Sequence, residues 1–119
     1  MTTYVLSKTA VAAATLAAAL QTGLAQSVNP SAGQAPINPQ NQTFQVVATA
    51  TTGNVSATVQ IYASNDGVNW SAYGSAITIA SGASPQQGVA NGAQPWQFYT
   101  AFVSAISGTG AQVTVTMGV

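Results

Sequence analysis

Between Asn54 and Tyr62 the chain alternates without a break: Val55, Ala57, Val59 and Ile61 fall between Asn54, Ser56, Thr58 and Gln60. Successive side chains of an extended strand point to opposite faces, so this run is a strand with one dry and one wet face. The same period returns at Val113, Val115, Met117 and Val119. Phe44, Val46 and Ala48 mark a preceding strand, joined to the first run through a turn at Thr52-Gly53-Asn54, and Ile77 and Ile79 mark a third. Residues 96–106 form a fourth, closed by a tight turn at Gly108-Thr109-Gly110. Residues 81–95 hold three glycines and two prolines and read as a long loop. Short strands with regular turn signals predict a mainly β domain over residues 43–119, an antiparallel β-sandwich or small jelly roll.

Residues 7–24, SKTAVAAATLAAALQTGL, read differently. Ala, Leu, Lys and Gln are strong helix formers, Ser7 suits an N-cap, and Gly23 sits where glycine commonly ends a helix. The spacing predicts an Ala-rich helix that is small and apolar nearly all round, as a helix buried on several sides would be. Its apolar run is too short for a bilayer, which needs about 20 residues. The expectation is an N-terminal anchor over residues 1–25, docking into an assembly through Val11, Ala14, Leu16, Ala18 and Leu20. The alternative is a secretory leader, with Lys8 as its positive start, 11–20 as its apolar stretch and Gly23-Leu24-Ala25 as a cleavage site before Gln26. Between this segment and the β domain, residues 26–42 place Pro30, Pro36 and Pro39 among Asn, Gln, Ser and Gly33, which predicts a semi-rigid, Pro-rich linker arm.

Charge restricts function more than fold. Lys8 and Asp66 are the only charged side chains among 119 residues, against roughly 25% charged residues in an ordinary domain. With no His, Cys, Glu or Arg, the base of a nucleophilic triad is missing and a zinc site has no ligands. One carboxylate is too few for a calcium site, and one Lys too few to hold phosphates. The reading is therefore a non-enzyme with no catalytic residues, no metal, no cofactor, no nucleic-acid partner and no membrane span. The lack of Cys indicates neither an oxidising nor a reducing compartment. A neutral surface has little electrostatic protection against association, so the working state is expected to be an assembly. A β core of about 75 residues is marginal alone, which points to a homo-oligomer, with a trimer as the expected form.

The most specific local signal is Ala63-Ser-Asn-Asp-Gly-Val-Asn-Trp-Ser. Asn65, Asp66 and Gly67 make a strong tight-turn sequence, and Trp70 follows as a large anchor. Asp66 reads as a turn former before a catalyst, and Trp70 and Trp96 read as core or rim anchors before sugar-stacking platforms. Three glycosylation sequons, at Asn41, Asn54 and Asn69, are what chance gives in a chain so rich in Asn, Ser and Thr. An apolar strand, S-N-D-G-x-N-W, a short strand and the ending FYTAFVSAISGTGAQVTVTMGV together resemble small β-sandwich modules of tailed-phage virion proteins. Many such modules carry an Arg in the aromatic strand; Ala or Phe stands there in this chain, so any role of that Arg is not carried over. The resemblance covers roughly residues 43–119. It implies a virion location and a head-decoration, cement, fibre or tail accessory role, with copies of itself and the major capsid protein as partners. Two other readings fit the composition: a secreted bacterial surface or filament subunit with a leader, and a carbohydrate-binding module using Trp70, Trp96 and tyrosines.

Overall fold

The computed structural model describes residues 3–29 and 41–119. Eight strands and one helix follow in the order β1 Thr3–Ala10, α1 Leu16–Thr22, β2 Gln42–Thr49, β3 Thr52–Ser64, β4 Ser71–Ala72, β5 Ile77–Ala83, β6 Gln86–Gly92, β7 Phe98–Thr109 and β8 Gln112–Gly118. They form two antiparallel sheets. In the first the order is β1-β8-β2-β6; in the second β3 is central, with β7 on one side and β4 and β5 on the other. Leu6, Phe44, Val46, Val113, Val115 and Met117 of the first sheet share one core with Val55, Val59, Ile61, Ile79, Tyr99 and Val103 of the second. The mainly β, antiparallel, sandwich-like arrangement expected from the alternation is present.

The strands of the expected meander do not pair with their neighbours in sequence. β2 and β3 lie in different sheets, as do β5 and β6, and β7 and β8. Each of these connections is an arch between layers, and the three arches meet at one end. The Ala50 amide donates to Ser84 Oγ at 3.0 Å, and the Thr51 amide donates to the Thr109 carbonyl at 2.9 Å. Gly110 takes φ +64° against Thr51, where an added Cβ would stand 2.6 Å from Thr51 Oγ1. Thr52-Gly53-Asn54, expected as a turn, already belongs to β3; the turn lies at Ala50 and Thr51.

Two further expectations are corrected. Most of the segment expected as a loop over 81–95 is strand: β5 runs on to Ala83 and β6 occupies Gln86–Gly92. Beyond Gln86 the inward positions of β6 are Gly88, Ala90 and Gly92, so no apolar alternation betrays it. They are small because the facing side chains come close: a Cβ on Gly88 would meet Ile77 Cγ2 at 2.6 Å, and one on Gly92 would strike the Tyr73 hydroxyl.

The helix expected over residues 7–24 is a strand as far as Ala10 and helical only over Leu16–Thr22. Ser7 is therefore no N-cap; it is buried in β1, and Thr15 caps α1, its side chain accepting from the Ala18 amide at 3.2 Å. Gly23 ends the helix as expected, at φ +79°. Pairing with β8 from Thr3↔Gly118 to Ala10↔Val113 overrides the helix propensity of the segment, because it places Leu6, 0% exposed, in the shared core. The N-terminal segment is thus part of the sandwich and not a separate unit. Of the expected arm, residues 30–40 lie outside the described residues.

Candidate functional site

A network of side-chain hydrogen bonds gathers at the end opposite the arches. There β3 runs out at Ser64 and the chain must reverse, and Asp66 organises the turn. Its Oδ1 accepts from the Ser64 hydroxyl and from the Val68 and Asn69 amides, each at 2.8 Å, while Oδ2 accepts from Asn69 Nδ2. The Asn69 and Val68 amides, followed by the Asn69 and Ser64 side chains, hold this carboxyl well below the usual carboxylate range. Both oxygens are occupied by the turn, so Asp66 is a turn former. Gly67 takes φ +74° and sits against the Phe98 ring, and Asn65 Oδ1 accepts from the Gln97 amide at 3.4 Å. Trp70 is half-buried immediately before β4, and Trp96 is half-buried against the core.

Behind this turn lies an aromatic knot. Phe44 and Tyr73 meet edge to face with centroids 5.8 Å apart, and Tyr73 and Tyr99 lie at 5.9 Å. The Tyr73 hydroxyl donates to Gln42 Oε1 at 2.7 Å and accepts from the Gln94 amide at 3.0 Å. The Tyr99 hydroxyl donates to the Gln94 carbonyl at 2.7 Å and accepts from the Trp96 amide at 2.8 Å. These bonds fasten the loop of residues 93–97 to the core and supply partners for the phenol of Tyr99, which is fully buried. Burial pushes the Tyr99 phenol above its ordinary value. What these contacts do is hold a loop against the core.

The expected anchor residues differ in exposure. Val11 is 69% exposed in a bend, and Ala18 is exposed. Ala14, Leu16 and Leu20 are half-buried, and the helix residue that is fully packed is Ala19. The segment binds its own sandwich instead. The Ala14 amide donates to the Val103 carbonyl at 3.1 Å, and Val28 and Tyr99 exchange two backbone bonds at 2.9 Å, both on the outer edge of β7. On the outer edge of β1, the Lys8 amide donates to the Leu24 carbonyl and the Gln26 amide to the Leu6 carbonyl. Residues 14–28 therefore strap together the edges of both sheets on one side.

Among the described residues no segment straps the opposite side. A groove of about 360 Å³ runs between β6 and the chain from Tyr73 to Thr78, with Phe44 and Ile61 at its base. On the outer face of the second sheet, the half-buried rings of Tyr62 and Phe102 lie 5.6 Å apart. Neither surface carries a charged side chain. Sequence reasoning missed both the strap and the open edge, because each depends on which strands pair across the sheets. Among the described residues, no helix is long and apolar enough to cross a membrane. The chain matches no family model, no curated protein and no solved structure in comparisons with each.

Proposed function

We propose that this chain is a non-enzymatic structural subunit of a repetitive particle, of the phage-virion decoration, cement or fibre type. The observation that carries the reading is the lack of any free reactive group at the polar end. The one carboxylate is consumed by a turn, and the phenols of half-buried Tyr73 and buried Tyr99 are engaged in holding a loop. What the molecule offers to others is uncharged surface, strand edges and half-buried aromatics. These suit contacts made by shape and backbone hydrogen bonding, with copies of itself and with a capsid protein as partners. The N-terminal helix, engaged with its own sandwich, is not needed as an anchor in this reading. The test is fractionation of the native source followed by mass spectrometry of purified particles. Fixed stoichiometry with the major capsid protein supports the reading, and confinement to the particle-free fraction sinks it.

The half-exposed Tyr62–Phe102 pair favours one second reading, a carbohydrate-binding module, since adjacent aromatic rings offer a platform to a sugar face. A glycan array separates the two: saturable binding that Phe102→Ala abolishes would establish the module, and no binding would remove it.

A further inference from the structure

Sheet edges are templates for pairing, and soluble proteins blunt them with charges, prolines, bulges or covering segments. In this molecule the strap covers the outer edges of β1 and β7. β5, at the edge of the second sheet, is broken by a register shift opposite Val55 and Ala57. Among the described residues β6 has none of these protections. Among the described residues it pairs with β2 alone, its register runs unbroken from Gln42↔Gly92 to Ala48↔Gln86, and Gln86–Gly92 contains no charge and no proline. At its centre Val89 is 61% exposed on the outer face, one of the few large apolar side chains left in solvent.

The strand is also complementary to itself. We infer that β6 pairs antiparallel with β6 of a second copy about a two-fold axis at Val89, joining two four-stranded sheets into one of eight. In that register Val89 meets Val89 of the other copy, Gln87 stands opposite Asn91, and Gly88 stands opposite Ala90. The apolar side chain is covered by its own kind, and amides face amides on the outer face. On the inner face the central pairs are small, and Gln86 stands opposite Gly92 at each end. No like charges oppose one another, because the strand has none. An isologous contact of this kind closes after two copies. A seven-residue strand pair is smaller than a standard interface, so the contact is weak in dilute solution and grows with local concentration, as within a particle. This deepens the assembly reading by naming the surface through which copies meet, and it holds whether or not the particle is a virion.

The chain has no cysteine, which makes the test direct. Val89→Cys places a thiol opposite its own copy, where directly facing Cβ atoms stand about 4.5–5.5 Å apart. Val68→Cys is the control, in the exposed turn beside Asp66. Under mild oxidation the Val89→Cys protein should form a disulfide dimer at least about tenfold faster than the control, and the unsubstituted protein should show a monomer–dimer equilibrium by sedimentation. Val89→Lys, which sets two like charges across the axis, should weaken association by about tenfold or more with the far-ultraviolet circular dichroism unchanged. If Val89→Lys fails to fold, the two cysteine proteins still decide. Equal cross-linking rates, or a monomer at the highest soluble concentration, would overturn the inference. Failure here leaves the particle reading standing, since that reading is tested by co-purification.

Discussion

Leu6→Ala tests whether the N-terminal segment belongs to the core. Leu6 is 0% exposed and packs into the cluster shared by both sheets. Truncation removes three carbons, or about 2.4 kcal/mol of transfer free energy at about 0.8 kcal/mol per buried carbon. The site cannot collapse freely, because β1 is bonded on one side to β8 and on the other to residues 24–26. The remaining cavity raises the expected loss to about 3–5 kcal/mol. Against a total stability of about 5–15 kcal/mol this is severe, and it should lower Tm by roughly 10–25 °C. Urea unfolding followed by circular dichroism measures it, with an unchanged m-value showing that the same surface is exposed. Ala18→Glu is the paired control: exposed on α1 and compatible with a helix, it should stay within about 0.5 kcal/mol. A loss below about 1 kcal/mol for Leu6→Ala would refute the reasoning and return the segment to the role of a detachable appendage.

Removal of residues 1–25 should leave an aggregating or molten chain by near-ultraviolet circular dichroism, since it exposes the edge of β8 and takes Leu6, Ala10 and Ala19 from the fold. Stability should stay flat between about pH 4 and pH 10. Asp66 has a depressed folded value, so its contribution is present above the unfolded carboxylate value and is lost as acid approaches the folded one; Asp66→Asn should lessen that acid decline in pH-dependent melting. Tyr99 has a raised folded value, so stability should fall as pH climbs past about 10, and Tyr99→Phe should lessen that alkaline decline. Gly88→Ala should cost about 1–3 kcal/mol in chemical denaturation, because its Cβ enters the stiff branched side chain of Ile77; a neutral result would contradict the close approach of β6 to β5.

The parts of the fold legible in sequence are those whose side chains alternate: Phe44, Val46 and Ala48 in β2, Val55, Ala57, Val59 and Ile61 in β3, Ile77 and Ile79 in β5, Tyr99, Ala101 and Val103 in β7, and Val113, Val115 and Met117 in β8. β6 was hidden because closeness to Ile77, Ile79 and Tyr73 demands glycine and alanine at its inward positions, and those residues imitate a loop. β1 was hidden because Ala- and Leu-rich sequence continues past Ala10, and local propensity points to a helix over the whole stretch. What makes the first part a strand is the edge of β8, some hundred residues away in the chain, and no local pattern records that. The same holds for the layer changes: a turn sequence shows that the chain reverses, not whether it returns to the same sheet. Asp66 was legible as a turn former because its partners lie within three residues. The open β6 edge was not legible, since an edge exists only once the order of strands is known.

The most direct test of the structural-subunit reading is cryo-electron microscopy of particles from the native source. The account predicts repeated, symmetry-related density that accepts a sandwich with extents of 46 × 27 × 22 Å. Recovery of the chain only as a free monomer, with particles lacking such density, would contradict it.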